Sequence, residues 1–190
     1  MSGAGDASVS VVVLPPWARV SDKRRVHVER VGRLISEWAD AMAVTPTERE
    51  RWLRAASMHD ALKDAPRELL LELAPRAWDD DSLRHGPAAA ALAQREGERD
   101  RGVLDAVRYH SIGFAGWDDV GRMLYLADYL EPGRRHGRDE RARRTALVAE
   151  DPAGVLREVA AERMGLTIAA GYRLLPETVE FWNGLTCDAP

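Results

Sequence analysis

Six side chains in this 190-residue sequence, His27, His59, Asp60, His85, His110 and Asp128, have the types and placements of metal ligands. His27 shares an apolar stripe with Val31, Leu34, Ile35 and Trp38; His59 shares another with Trp52 and Ala56, and Asp60 stands beside it. His110 follows Val103, Ala106 and Val107 at helical spacing, and Asp128 lies one turn beyond Leu124. A carboxylate on an apolar face is costly unless it is paired or holds a cation. Taken singly, a histidine on such a face is a hydrogen-bonded core residue and Asp60 a surface or capping residue. Taken together, they form a mixed nitrogen and oxygen donor set without thiolate, which suits iron, manganese, cobalt, nickel or zinc. Neighbours on a helix point about 100° apart, so His59 and Asp60 can approach one ion from two sides, or Asp60 can bridge two ions. His27, His59, Asp60 and Asp128 would hold one ion with positions open for water and substrate, leaving His85 and His110 for a second.

The chemistry that such a site favours is hydrolysis. Two ions bridged by Asp60 and a hydroxide would lower the nucleophile's pKa toward ~7 and stabilise an in-line displacement at phosphorus. The chain has no Gly-x-Ser-x-Gly elbow and no Walker loop, and its single Cys187 is nearly terminal, so covalent and P-loop routes lack their parts. Lys63, four residues after His59 on the same helical face, could neutralise a phosphate at the metal. Arg134, just past the Asp128 helix, could grip an outer phosphate in bidentate fashion. Arg108 is expected to point away from His110, and the Arg134 to Arg144 run to form a solvated face. His136 sits in a polar stretch and reads as surface. Tyr109, Phe114 and Trp117 are the aromatics nearest the site in sequence; Tyr109 is taken as the base-contacting candidate.

The elements that must position these groups read as helices almost throughout. The first runs from Asp22 to Ala43. Thr45-Pro46-Thr47-Glu48 supplies a cap, a first-turn proline and a capping box for a second helix reaching about Leu62. Pro66 starts a short helix through Leu73, and Asp79-Asp80-Asp81-Ser82 is a loop or helix start. Further helices open at Gly86-Pro87, Asp100 and Asp118, the last stopped by Glu131-Pro132-Gly133. Another follows the basic segment, a longer one is capped by Asp151-Pro152, and Pro176-Glu177 opens the last, carrying Val179 and Trp182. The expected fold is all-α, a bundle of roughly eight or nine helices. Ser8 to Leu14 could form a strand.

Composition narrows the rest. A net charge of −4 lacks the basic excess needed to grip long nucleic acid, so no nucleic-acid partner is expected. Met1 to Pro16 has no basic n-region and is too short to span a bilayer, so no membrane association is expected. One cysteine cannot form an intramolecular disulfide, and a cytoplasmic setting is the default. The chain divides into an N-terminal extension, 1–20, and one domain, 21–190. Monomer and homodimer remain equally open.

The ordered motifs carry a resemblance. Arg24-Arg25-Val26-His27, Met58-His59-Asp60-Ala61-Leu62-Lys63, His85-Gly86-Pro87, Arg108-Tyr109-His110-Ser111-Ile112-Gly113, Leu124 to Arg134 and Pro176-Glu177-Thr178-Val179-Glu180 are similar to those of HD-domain proteins of the YqeK type. These are the symmetrical bis(5′-nucleosyl)-tetraphosphatases. The likeness covers approximately Arg24 to Asn183, and Tyr-Leu-Ala-Asp-Tyr-Leu-Glu-Pro-Gly-Arg is its most specific part. It implies a helical HD-domain bundle, a dinuclear iron-type centre on all six ligands, and symmetrical cleavage of diadenosine tetraphosphate to two ADP. His85, His110 and the second ion owe their assignment mainly to this resemblance. The catalytic pair would be Asp60 and Lys63, with Lys63, Arg134 and Tyr109 on the substrate. Ser111 and Ile112 replace the family's usual two threonines, and Ala61-Leu62 its usual Ile-Ala, changes that bear on the substrate pocket. Two other readings stand beside it: an HD-type nucleoside monophosphate phosphatase and a non-catalytic regulatory protein of the same fold.

Overall fold

The computed structural model describes residues 12–78, 80–134 and 137–187. Nine α-helices and no strand are found among the described residues: α1 (Asp22–Ala41), α2 (Pro46–Met58), α3 (Arg67–Leu73), α4 (His85–Arg95), α5 (Arg101–Tyr109), α6 (Asp119–Leu130), α7 (Arg138–Leu147), α8 (Pro152–Ala169) and α9 (Pro176–Cys187). A 3₁₀ turn, Asp81–Leu83, precedes α4. The all-α expectation is met. Most of the possible strand Ser8 to Leu14, together with Asp79 and His136, lies outside the described residues.

Short side chains accept from free first-turn amides and set where helices begin. Thr45 Oγ1 accepts from Glu48 N at 3.2 Å, Asp100 Oδ1 from Val103 N at 3.3 Å, Asp118 Oδ1 from Val120 N at 3.1 Å and Asp151 Oδ1 from Gly154 N at 2.8 Å. The Glu48 carboxylate turns to Arg51 and to Trp52 Nε1, so it braces the helix face more than its start.

Helix α2 is central, packing against α1, α5 and α6, while α4 lies along α5 and α8 along α9. Trp52, Ile35, Leu124, Leu126 and Val103 are fully enclosed between them. Each such side chain contributes about 1.5–3 kcal/mol through burial. Helix α7 has no buried residue; Arg143 and Arg144 pair with Glu140 and Glu158, but the basic run is not simply the solvated face expected, since Arg141 packs over the Tyr129 ring and Arg134 turns to Asp128.

One further expectation needs correction. Helix α2 stops at Met58, not near Leu62. From His59 to Asp64 the chain winds in tight turns, with Ala61 N donating to Met58 O and Lys63 N to Asp60 O. A strap from before α1 takes the groups that a continued helix would use: Arg19 N donates to Ala61 O at 2.6 Å and Asp64 N to Arg19 O at 3.2 Å. In α9 the inward residue is Phe181, 3% exposed, whereas Val179 is 38% exposed; Trp182 packs at the core's edge. Phe181 closes on Gly113, whose φ of +90° suits glycine and where a Cβ would lie 2.3 Å from the ring.

Gly86 permits a second close approach, that of α4 to the end of α5. A Cβ there would meet Arg108 O at 2.8 Å and Val107 O at 3.0 Å, both main-chain atoms that cannot swing away. Gly86→Ala is expected to cost about 1–3 kcal/mol as overpacking and to part His85 from His110. Denaturant unfolding and metal content of the purified variant check this.

Candidate metal centre

Five helices converge on one polar cluster inside this apolar frame. His27 comes from the middle of α1, His59 caps the end of α2 with Asp60 following, His85 opens α4, His110 caps α5, and Asp128 sits in the last turn of α6. All six are buried. Asp60, 3% exposed, stands at the centre. Its Oδ1 lies 3.1 Å from His85 Nε2 and 3.5 Å from His110 Nε2. Its Oδ2 lies 3.6 Å from His27 Nε2 and 3.7 Å from His59 Nε2. His27 Nε2 is in turn 3.2 Å from Asp128 Oδ1. Two ligand groups therefore share one carboxylate: His27, His59 and Asp60, and Asp60, His85 and His110, the donor atoms of each lying within 4.8 Å of one another.

The donors themselves test whether a cation fits. Carbonyl oxygens only accept, so the ring nitrogens facing them must donate: His59 Nδ1 to Ala56 O at 2.8 Å, His85 Nδ1 to Ser82 O at 2.9 Å and His110 Nδ1 to Val107 O at 2.8 Å. In the neutral ring this leaves each Nε2 as a bare lone pair turned into the cluster. Burial pushes His59 and His85 down to about 4, so both are neutral at ordinary pH. His85 Nε2 and His110 Nε2 nevertheless face each other at 3.1 Å. Lone pairs at that distance need a positive charge between or beside them, and the residues fit a divalent-metal centre.

His27 differs. Burial works against its charge, but hydrogen bonds to Asp128 and Glu131 outweigh this and raise it to about 9. Asp60 and Asp128 are held well below the usual carboxylate range. For Asp128, burial is outweighed by the hydrogen bond from His27 and by the Arg134 charge; Asp60 stays ionised against the cost of its burial. Glu131 Oε1 faces His27 Nδ1 at 3.3 Å, and its Oε2 accepts from Arg30 Nε at 2.5 Å and from Gly133 N at 2.7 Å.

Around the cluster stand cationic groups. Lys63 Nζ is 3.4 Å from His85 Nε2 and donates to Ser82 O at 3.3 Å; it reaches the site from the turn after α2, not from a helical face. Arg134 Nη2 holds Asp128 by its carbonyl and its Oδ1, both at 2.9 Å. Arg24 Nη1 contacts Asp60 Oδ2 at 2.6 Å. Arg163 Nη1, 3.7 Å from Asp128 Oδ2, is buried without a hydrogen bond, while Nη2 donates to Ser111 O at 2.8 Å.

The sequence reading assigned no role to Arg24, Glu131 or Arg163. Arg24 precedes His27 by one turn and Glu131 follows Asp128 by one turn, so helical spacing could have found both. Arg163 lies 52 residues from Ser111 with no motif around it, and carries no local signal.

Two clefts flank the cluster, the first lined by His27 and the second by Arg163, Ser111 and Ser82, which contact Asp128, His110 and His85. One, of about 1020 Å³, is lined by Lys23, Arg24, His27, Arg30, Glu131 and Arg134 among others. The second, of about 830 Å³, runs past Ser82, Ser111 and Ile112 to Tyr125, Arg163 and Tyr172. Tyr109 and Arg108 line neither. The Tyr109 ring stacks on Phe114 at 4.4 Å and does not enter a cleft; Trp117 packs in the core against Tyr125 and Phe181.

Fold and site together define an all-helical protein built around a buried histidine and aspartate centre for divalent metal. The chain matches the HD domain family over residues 24–133, more than half its length, and belongs to that family. It is 32% identical over 124 residues to the Bacillus subtilis (strain 168) protein named symmetrical bis(5′-nucleosyl)-tetraphosphatase, covering 61% of this chain and 65% of that one. A protein of the same name from Halalkalibacterium halodurans is 28% identical, covering 57% of each. The matched segments thus span less than two thirds of either relative. A crystal structure of an HD superfamily hydrolase, described as involved in NAD metabolism, from Clostridium acetobutylicum superposes with a TM-score of 0.78 at 27% identity, covering 90% of this chain and 92% of that one.

Because Glu131 holds His27 by its second nitrogen, Glu131→Gln is expected to weaken metal binding about 10- to 100-fold with helical content unchanged. Competition titration with a chromophoric chelator, alongside circular dichroism, measures both.

Proposed function

We propose that this protein is a metal-dependent phosphohydrolase that cleaves diadenosine tetraphosphate, or a related dinucleoside polyphosphate, symmetrically to two ADP. The observation that carries the reading is Asp60: one buried carboxylate shared by two histidine groups, beside cationic side chains that reach the same cluster. The names of the Bacillus subtilis and Halalkalibacterium halodurans relatives support the choice of substrate. When bound, a pair of divalent cations activates the attacking water and offsets charge at the phosphorus. Iron is the proposed metal, on the resemblance of the ligand motifs; manganese, cobalt, nickel and zinc suit the same donors.

The chain's own residues supply orientation and charge. His27, His59, Asp60 and Asp128 are proposed to hold one ion, and His85, His110 and Asp60 the other. Arg24, Arg134 and Arg163 already lie against Asp60 and Asp128, so a polyphosphate entering there meets guanidinium groups without new ordering. Lys63, partly desolvated beside His85, adds a point charge near the second group. Water adds to one of the two central phosphorus atoms, and the bridging oxygen leaves with the other ADP.

The test is product identity. Iron- or manganese-loaded protein is expected to convert diadenosine tetraphosphate to ADP alone and to release no inorganic phosphate from deoxynucleoside monophosphates. Phosphate release from the monophosphates, or turnover of neither compound, overturns the reading. Arg163→Ala is expected to lower kcat/KM about 10- to 100-fold, the effect of losing one charge-assisted hydrogen bond of ~1.5–3 kcal/mol, with metal content unchanged.

A further inference from the structure

The two clefts differ in chemistry and share Arg134, which holds Asp128 of the metal cluster. The first touches His27, and its described lining is mostly ionic: Lys23, Arg24, Arg30 and Arg134 with Asp22 and Glu131, beside Val26 and with no Phe, Tyr or Trp among the described residues. The second reaches the other group through Ser82, whose carbonyl holds His85, and Ser111, whose Oγ lies 3.1 Å from His110 Nε2. Its walls are apolar and aromatic, with Ile112, Tyr125, Leu174 and Leu175, and Tyr172 stands 68% exposed on the lining. Arg134 lines both clefts, and Arg163 marks the metal end of the second.

A flat, weakly polar base stacks on aromatic faces and buries against aliphatic ones, which the second cleft supplies. The first cleft offers charge for phosphate oxygens. A base resting there would meet guanidinium planes, which stack on any base and distinguish none. We propose that the protein reads one nucleoside only, in the cleft beside α8, and holds the far half of the substrate by its phosphates. It follows that a nucleoside 5′-tetraphosphate is also a substrate. Water adds at one of the two central phosphorus atoms, the anhydride between them breaks, and the bridging oxygen departs with the far diphosphate. Adenosine tetraphosphate thus gives ADP and pyrophosphate, where diadenosine tetraphosphate gives two ADP.

This inference rests on the proposed tetraphosphatase activity, and the two fail separately. Manganese-loaded protein is given diadenosine tetraphosphate and adenosine tetraphosphate in parallel, with products resolved by ion-exchange chromatography. Comparable kcat/KM values, within roughly tenfold, are expected, because a site that read the second base would reject the truncated compound by ~100-fold or more. Turnover of the dinucleotide with a hundredfold loss on adenosine tetraphosphate overturns the single-nucleoside inference alone. Turnover of neither overturns the activity and the inference with it. Calorimetric titration with ADP is expected to give one high-affinity site per chain, weakened about tenfold in Tyr172→Ala, the loss of one stacking face on an exposed residue. Two equivalent ADP sites per chain, or a Tyr172→Ala variant that binds as tightly as wild type, overturns it.

Discussion

The carboxylate of Asp60 is the constraint on which the rest of the molecule depends. An ionised group at 3% exposure is unstable unless every lone pair finds a donor or a cation. Its two oxygens divide the surrounding histidines into pairs, His85 with His110 and His27 with His59, while Arg24 adds a third donor on the His27 side. Those partners come from α1, α2, α4 and α5, and Asp128 on α6 closes the ring through His27. None of these helices can shift far without stranding a buried charge. The apolar packing of Trp52, Ile35 and Leu124 supplies the driving force for folding, but the polar cluster dictates which relative placement of the helices is tolerated.

The same logic explains the arginines. Asp60, Asp128 and Glu131 put three carboxylates in a small volume, opposed by charged His27 and by Arg24, Arg30, Arg134 and Arg163. Divalent cations in the cluster would compete with Arg24 and Arg134 for the carboxylate oxygens. The guanidinium groups would then face the clefts with unsatisfied charge, which is the condition for gripping an anionic substrate. Counter-charges for the carboxylates and the proposed contacts for phosphate would thus be the same side chains at different stages.

How much of this could be read in the sequence followed the distance over which each feature is encoded. The six clustered residues were legible because each sits on an apolar stripe or in a short ordered motif, and helix starts were legible because Thr45, Asp100, Asp118 and Asp151 announce them locally. The end of α2 was not, because Arg19, about forty positions upstream, takes the carbonyl of Ala61. The inward face of α9 depends on the space left by Gly113, and the role of Arg163 on its meeting Asp128 across the fold. Tyr109 was adjacent to a ligand in sequence, yet its ring found Phe114, whereas Tyr172, remote from every ligand motif, lines a cleft.

One local device accounts for much of the centre's chemistry. His59, His85 and His110 each donate from Nδ1 to the carbonyl three residues earlier, those of Ala56, Ser82 and Val107. For His59 and His110 these carbonyls belong to the last turns of α2 and α5, where a helix leaves acceptors without intrahelical partners. The ring satisfies the helix end, and the helix end fixes the ring's tautomer and aim. Capping and ligand orientation are one interaction, so a histidine at a helix terminus comes preset as a neutral Nε2 donor. His27, in mid-helix, has no such carbonyl; it turns Nε2 to Asp128 and Nδ1 to Glu131, and these two carboxylates favour the charged ring and raise it to about 9 against the cost of burial. The asymmetry between the two ligand groups therefore begins in backbone geometry: three imidazoles set by helix ends and one set by a charge.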